Sequence, residues 1–236
     1  MFRCKLGRPR KHMQVYHFIG EEYGVKAVGL RRLKISRVDQ LNDPFELMAG
    51  TQTDQFSRLA MRVLRDAWAK RMGILCFSRD WHNTVMWGHY ANRHRGLCLG
   101  FELDDRCAMP VRYVRHRLPA DRLIYPDTSS EDSLNIARQL VNTKFSHWRY
   151  EREVRAWASL DPDGPPVQFK YFAADMKLTH VYIGARSSIR RQMIADALGD
   201  DLADVKIVST RLAFRSFRVV TQRNPALWDR LPERWE

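Results

Sequence analysis

The chain is poor in cysteine, and its few cysteines follow no metal-binding spacing. The four are Cys4, Cys76, Cys98 and Cys107, and no two of them form a CxxC pair. Cys76 and Cys98 lie in apolar, strand-like runs, where cysteine usually behaves as a small core residue. The sequence therefore predicts reduced thiols in a cytoplasmic protein with no zinc site and no other bound metal.

Long apolar runs are missing as well. No segment approaches the roughly 20 apolar residues that a membrane-spanning helix needs, and no secretory signal pattern is present. The sequence has no PD-x-E-x-K pattern and no His/Asp cluster at ligand spacing, which argues against a metal-dependent nuclease. These absences favour an ordinary globular protein without a membrane partner.

Basic residues are abundant, and arginine dominates them. Forty Lys and Arg stand against 27 Asp and Glu, which gives a formal net charge of +13. A surplus of this size favours a polyanionic partner, nucleic acid above all. Free use of arginine by the source organism would give the same number, because net charge does not show where the charges lie.

The chain has no internal repeat, no low-complexity segment and no obvious linker. Residues 1–12 form a basic leader that is predicted to be disordered, and residues 225–236 form a Pro/Trp-rich tail. Residues 13–224 are predicted to be a single α+β domain, with mixed, mostly antiparallel sheets flanked by helices.

Apolar periodicity and turn residues predict the individual elements of this domain. The predicted helices are residues 21–30, 54–71, 81–92, 133–147 and 187–198. The predicted strands are residues 14–19, 33–38, 73–78, 96–102, 111–116, 151–160, 167–172, 178–184, 205–209 and 212–220. Residues 41–46 are predicted to be a turn, and residues 119–132 a long loop.

The densest chemistry lies between Lys144 and Arg155, where two glutamates stand two residues apart. On one strand, Glu151 and Glu153 would point to the same face, roughly 6–7 Å apart at the backbone. Two carboxylates that close repel, so one could have a raised pKa. Such a pair can stabilise a developing positive charge or hold a proton. The alternative is a solvent-facing pair on an edge strand, ion-paired with Arg152, Arg155 or Lys144.

A series of short motifs covers almost the whole chain after Met13. They are Tyr16-His17-Phe18, Leu41-Asn42-Asp43-Pro44-Phe45-Glu46, Cys76-Phe77-Ser78, Met86-Trp87-Gly88-His89-Tyr90-Ala91, Gly96-Leu97-Cys98-Leu99-Gly100-Phe101, Lys144, Trp148, Glu151, Glu153, Arg155 and Ile183-Gly184. In this order they resemble a bacterial family catalogued only as a domain of unknown function, numbered twenty-nine seventy-one. That family name implies no activity.

A second resemblance, to the ADP-ribosyltransferase superfamily, does imply an activity. Those proteins carry Y-H-x on a first strand, a Ser or Tyr on a middle strand or helix, and a later glutamate, often as E-x-E. His17 matches the first position, Ser78 or Tyr90 the second, and Glu151-x-Glu153 the third. The second position is ambiguous, and the diagnostic Ser-Thr-Ser run is absent.

This resemblance implies NAD as a substrate and assigns roles around it. Glu153 would stabilise the oxocarbenium-like transition state, and Glu151 would orient or deprotonate the acceptor. The residues expected around NAD are Tyr16, His17, Asn42, Asp43, Ser78, Trp87 and Tyr90. His17 would bind a ribose hydroxyl, and Trp87 or Tyr90 would stack on a ring. Each also has a structural alternative: a core histidine, a turn cap for Asn42 and Asp43, a helix cap for Ser78, or a packed aromatic face.

The implied function is an NAD-dependent ADP-ribosyltransferase-like enzyme, acting as a bacterial toxin or anti-phage effector. Its acceptor would be nucleic acid or protein, and an antitoxin or defence-system partner would accompany it. Two alternatives remain open. One is a non-catalytic basic nucleic-acid-binding module with structural glutamates. The other is an NAD or nucleoside glycohydrolase that uses the same glutamate pair with water as the acceptor.

Overall fold

The computed structural model describes residues 11–46, 48–118 and 139–229. They form an α+β fold with a mixed, mostly antiparallel sheet and several helices, as the pattern predicted. Packing divides the chain into two compact units, each built from separate stretches of sequence. Among the described residues, the first contains 34–46, 48–76, 108–118 and 139–169, and the second contains 11–33, 77–107 and 170–229.

The elements of the described residues follow the predicted order closely. The helices are α1 (Glu21–Gly29), α2 (Gln55–Arg71), α3 (Thr84–Tyr90) and α4 (Arg191–Leu198), with 3-10 turns at Val38–Gln40, Ser146–Glu151, Gly199–Ala203 and Pro225–Leu227. The strands are β1 (His12–Ile19), β2 (Arg32–Lys34), β3 (Ser36–Arg37), β4 (Met72–Ser78), β5 (Leu97–Asp104), β6 (Ala108–Pro110), β7 (Arg112–Val114), β8 (Thr143–Phe145), β9 (Glu153–Ser159), β10 (Phe169–Tyr171), β11 (Met176–Ile183), β12 (Lys206–Leu212) and β13 (Val219–Thr221).

In the first unit, α2 packs beside strands in the order β3-β4-β9-β6, and β7 pairs in parallel with β8. A capping box begins α2: the Asp54 side chain accepts from the Ser57 backbone, and Ser57 Oγ accepts from the Asp54 backbone. The core of this unit centres on Val38, Ile74 and Val141, with Trp68 packed against them.

The second unit is a sheet in the order β13-β12-β11-β5-β1. β1 runs antiparallel to β5 over its whole length, from His12 opposite Asp104 to Ile19 opposite Leu97. β11 and β12 are parallel, and α4 lies between them in the chain. A right-handed crossover through a helix is the usual way to join two such strands.

Three predicted elements need correction. The strand predicted over 33–38 is divided into β2 and β3, and residue 38 begins a 3-10 turn. The helix predicted over 133–147 is helical at 139–141, and then Thr143–Phe145 forms β8. Thr143 Oγ1 donates to Gln139 O at 2.6 Å, a local bond that competes with helix continuation. The strand predicted over 212–220 is interrupted by a loop at 213–218, because the chain turns back after β12 and β13 pairs Val219 with Leu212.

The predicted ends of the chain lie partly outside the described residues. Of the leader 1–12, the structure describes the last two residues, and β1 already begins at His12. Of the tail 225–236, it describes residues 225–229. The loop predicted over 119–132 lies outside the described ranges.

The cysteines differ in state. Cys76 and Cys98 carry free thiols, whereas Cys107 is disulfide-bonded. The prediction of reduced thiols throughout is therefore wrong for Cys107. In the part of the chain that the structure describes, no helix has the length and hydropathy to cross a membrane.

Candidate active site

The two predicted catalytic glutamates lie in the first unit, but not on one strand face. Glu151 is the last residue of the 3-10 turn, and Glu153 is the first residue of β9. Arg152 between them has a left-handed backbone, with φ 46° and ψ 46°. Both carboxylates nevertheless meet at Lys144, whose Nζ donates to Glu151 Oε2 at 2.6 Å and to Glu153 Oε2 at 3.3 Å.

Five charged residues form one buried group, which we call the charge cluster. It consists of Glu46, Lys144, Glu151, Glu153 and Arg155, and every member is buried. Arg155, with 0% of its surface exposed, donates from Nε to Glu153 Oε1 at 2.8 Å and from Nη2 to Glu46 Oε1 at 2.6 Å. Lys144 Nζ also lies 3.5 Å from Glu46 Oε1. Three carboxylates and two cations leave a formal charge of −1.

Neighbouring groups hold the two cations and Glu153 in place. Arg155 Nη1 donates to Val141 O at 2.6 Å, and Lys144 Nζ lies 4.7 Å from the centre of the Trp148 ring. The Glu153 backbone N–H donates to Tyr113 Oη at 2.8 Å. These contacts use β7, β8 and β9 as a frame, so the cluster depends on the pairing of short strands.

The two cations of the cluster keep Glu153 ionised. Burial raises the pKa of Glu153, but Arg155 and Lys144 outweigh burial and lower that pKa to about 2. Burial lowers the pKa of Lys144, and the three carboxylates reverse that effect and raise it. Burial also raises the pKa of the Cys76 thiol, which lies beside Glu153. Repulsion by Glu151 was expected to raise a pKa of the pair, whereas the pKa of Glu153 is lowered. The cause is the two cations that converge on Glu153, which the spacing of the glutamates did not reveal.

Glu46 brings an unsatisfied oxygen to the cluster. Its Oε1 contacts Arg155, whereas its Oε2 is buried and has no hydrogen-bond partner among the described residues. Leaving a buried acceptor unpaired costs about 1–3 kcal/mol. This oxygen can therefore accept one further hydrogen bond.

A turn directs Glu46 into the protein. Asp43 Oδ1 accepts from the Phe45 backbone at 2.9 Å, and Asp43 O accepts from the Glu46 backbone at 3.0 Å. Asp43 is buried, while Asn42 is exposed. Asp43 therefore shapes this turn, which was the structural alternative for its role.

A cavity of about 280 Å³ adjoins the cluster, and Lys144 belongs to both. Its other walls include two phenylalanines and a basic run, namely Phe45, Phe145, Arg115, His116 and Arg117. The Arg117 guanidinium lies 5.1 Å from the centre of the Phe45 ring. The volume is at the low end of the roughly 300–1,000 Å³ of ligand pockets. It fits a nucleoside-sized group rather than a whole dinucleotide.

The remaining predicted residues lie in the second unit. Tyr16 of β1 is paired with Ser78 of β4, so the structure brings these two together. Ser78 is buried, and its Oγ accepts from the Asp80 backbone at 3.1 Å. The His17 ring packs edge-on against Phe77, with centroids 5.8 Å apart. None of these contacts involves the charge cluster.

The two predicted stacking rings differ in access. Trp87 is 0% exposed, donates from Nε1 to Trp81 O at 2.6 Å, and packs edge-on against Phe18. Tyr90, at the end of α3, is half-buried. Only Tyr90 of the pair has surface that another ring can contact.

Sequence reasoning missed three members of the cluster as functional residues. Lys144 and Arg155 were treated as partners of a surface ion pair, whereas both are buried. Glu46 stands 109 residues before Arg155, and no local pattern joins them. Its position at the end of a polar turn was the available signal, since turns often carry binding residues.

One comparison with known proteins gives a match. Residues 86–156 match the model of a family described as "Protein of unknown function (DUF2971)". This stretch includes four of the five cluster residues, all except Glu46, and supports the first resemblance. No curated protein and no solved structure matches the chain significantly. Across the described ranges, no group of three or more His, Cys, Asp or Glu residues could hold a metal ion.

Proposed function

We propose that this protein is an NAD-dependent ADP-ribosyltransferase-like enzyme whose donor site is the charge cluster and its adjoining cavity. The observation that carries the proposal is a buried cluster with a charge of −1 and an unpaired Glu46 oxygen, next to a cavity. Cleaving the bond between ribose and nicotinamide builds positive charge on the ribose. Fixed negative charge in a water-poor site stabilises that transition state.

The cavity supports a nucleoside portion of the donor. The Phe45 and Phe145 rings offer faces for a heterocycle, and Arg115 and Arg117 offer guanidinium groups for the pyrophosphate. Lys144 would shift one of its hydrogen bonds from Glu151 to the donor. Glu46 Oε2 would then accept from a ribose hydroxyl.

In the proposed reaction, the bond from ribose C1′ to the nicotinamide nitrogen breaks, and its electron pair stays on nicotinamide. A nucleophilic atom of the acceptor forms the new bond to C1′. The proton of that nucleophile passes to Glu151, while Glu153 stays ionised throughout. A pKa of about 2 suits Glu153 to this electrostatic role and not to proton transfer.

The proposed biological role is that of a bacterial toxin or anti-phage effector, with nucleic acid or protein as the acceptor. The net charge of +13 supports a nucleic-acid acceptor. An antitoxin or defence-system partner belongs to the same proposal.

The test is nicotinamide release and macromolecule labelling. The purified protein is incubated with NAD labelled in its adenosine part, together with DNA, RNA or cell extract. We expect nicotinamide release and a labelled acceptor. Glu153→Gln should lower the rate by about 100-fold or more, the usual effect of removing one group that stabilises transition-state charge.

A folded surface variant guards against loss of structure. Arg115 lies on the cavity wall and is exposed, so Arg115→Gln should raise the KM for NAD several-fold and leave thermal unfolding unchanged. Arg62→Gln, on an exposed position of α2, is the matched control. Release of nicotinamide without a labelled acceptor would indicate a glycohydrolase instead of a transferase. Absence of both from the folded wild type would overturn the proposal.

A further inference from the structure

The loop that joins β12 to β13 exposes two phenylalanines almost completely. Phe214 is 90% exposed and Phe217 is 95% exposed. A hydrogen bond from Ala213 N to Arg218 O, at 2.9 Å, closes the loop and projects the four residues at its tip. Phenylalanine is usually buried, so two neighbouring exposed rings indicate a contact surface.

Arginines surround these rings. The Arg211 guanidinium lies 4.4 Å from the centre of the Phe214 ring. Arg215 stands between the two phenylalanines and makes no ion pair with any described residue. Among the described residues, Arg218 has one distant carboxylate partner, Asp80, at 3.8 Å. The positive charge at this tip is therefore largely available to a ligand.

A cavity of about 540 Å³ reaches the end of β12 next to this loop, where Arg211 and Leu212 line it. It lies where the parallel strands β11 and β12 end, the edge at which α/β sheets bind ligands. Arg186 and Arg190, from the segment before α4, line it together with serine and threonine side chains. Neither arginine makes an ion pair with another described residue.

The segment that carries Arg186 is held in place. Gly184 N donates to Gly96 O, and Arg186 N donates to His94 O, both at 3.0 Å. A Cβ at Gly184 would lie 2.2 Å from His94 O, so only glycine allows this close approach. The Arg186 side chain is therefore presented from a fixed backbone.

A carboxylate already occupies part of this basic site. Asp229 lines the cavity, and its Oδ1 accepts from the backbone N–H of Arg191, the first residue of α4, at 2.8 Å. A helix N-terminus favours an anion, and here a side chain supplies one. The contact indicates that the cavity suits an oxyanion.

We propose that this surface binds single-stranded nucleic acid. We call it the arginine–phenylalanine surface and define it as Arg186, Arg190, Arg211, Phe214 and Phe217. Backbone phosphates contact the three arginines, and unpaired bases stack on the two rings. Bases in a duplex are already stacked on each other, so the exposed rings favour a single strand.

An anionic membrane is the competing partner, since exposed phenylalanines and arginines also bind lipid surfaces. The concave cavity with hydroxyl and guanidinium groups favours a strand of nucleic acid over a flat lipid surface. The proposal is independent of the ADP-ribosyltransferase reaction, and binding is measured without NAD. The failure of the binding proposal can therefore be distinguished from the failure of the transferase proposal.

The test is fluorescence anisotropy with a labelled 20-nucleotide single strand, as RNA and as DNA of the same sequence. A duplex of that sequence and phosphatidylserine vesicles are the other two probes. We expect the single strands to bind more tightly than the duplex, and the vesicles to bind weakly. Phe214→Ala with Phe217→Ala should weaken single-strand binding at least 10-fold, since each stacked base is worth roughly 5- to 150-fold.

Two matched controls separate this surface from general basicity. Tyr23 is 67% exposed in the same unit, so Tyr23→Ala tests loss of an unrelated aromatic ring. Arg62→Gln tests loss of an unrelated exposed arginine. Both should bind as the wild type does. The proposal is overturned if the double phenylalanine variant keeps wild-type affinity, if the wild type binds no single strand at 150 mM salt, or if it prefers vesicles.

Discussion

The charge cluster of the first unit and the arginine–phenylalanine surface of the second use arginine in opposite ways. Arg155 is fully buried and contacts two carboxylates and a carbonyl oxygen. Arg186 and Arg190 lie in an open cavity without an ion pair to another described residue. Folding compensates the charge in the first region and leaves it uncompensated in the second. We therefore expect changes in the first to affect stability and chemistry, and changes in the second to affect binding.

The largest expected contrast is between Arg155→Met and Arg186→Gln. Removing one partner of a buried ion network leaves unpaired carboxylates, which costs about 3–5 kcal/mol. Arg155→Met should lower the free energy of unfolding by that amount, measured by urea denaturation of the whole protein. Arg186→Gln should change it by less than about 0.5 kcal/mol. Equal effects of the two substitutions would contradict the comparison.

The second largest expected effect is a loss of stability of the charge cluster at acid pH. The folded pKa of Glu153 is about 2, against an ordinary value of 4.5. Its contribution to stability is therefore fully present above pH 4.5 and disappears as pH falls from 4.5 towards 2. The shift corresponds to about 3 kcal/mol in the free energy of unfolding.

Denaturation at pH 6 and at pH 3 measures the part of this loss that occurs by pH 3, about 2 kcal/mol, and Glu153→Gln should reduce it. Glu22→Gln is the control, because Glu22 is exposed in a pair with Lys26 on α1. An acid response of Glu153→Gln as steep as that of the wild type would assign the loss to other carboxylates.

The next largest effect should come from salt, which should weaken binding at the arginine–phenylalanine surface and leave the charge cluster nearly unchanged. Three arginine–phosphate contacts give a slope of about −2 for log affinity against log salt with a single strand. Raising salt from 50 to 200 mM should then weaken nucleic-acid binding roughly 20-fold. Stability at neutral pH should change little, because buried pairs are weakly screened. Arg186→Gln with Arg190→Gln should make the slope shallower, whereas Arg62→Gln should not.

Most of the fold could be predicted because its signals are local. Helix periodicity predicted α2 to within one residue, and alternating or apolar runs predicted β1, β4, β5 and β11. The errors occurred where a tertiary contact decided the outcome. Residues 213–218 carry a strand-like pattern, yet the pairing of β13 with β12 turns them into a loop. That error concealed the two exposed phenylalanines.

The candidate site was predictable only in part. The two glutamates were identified from their spacing, and their carboxylates do meet, although Glu151 belongs to a 3-10 turn. Glu46 joins them only through the fold, 109 residues from Arg155. The pKa of Glu153 depends on Arg155 and Lys144 at distances that spacing does not contain. Local sequence therefore indicates the residue types, and packing decides their protonation.

The smallest expected effect is that of Asp229→Asn on single-strand affinity. This carboxylate lines the same cavity as Arg190 and accepts from the first N–H of α4. If it stands in for a phosphate, Asp229→Asn removes a competing negative charge and keeps the side-chain size. We expect single-strand affinity to rise about 2- to 5-fold, the range of a helix N-terminal charge effect. Asp196→Asn, on the exposed face of α4, should leave affinity unchanged. A fall in affinity for Asp229→Asn would mean that the carboxylate organises the site for its ligand, and would contradict its role as a competing anion.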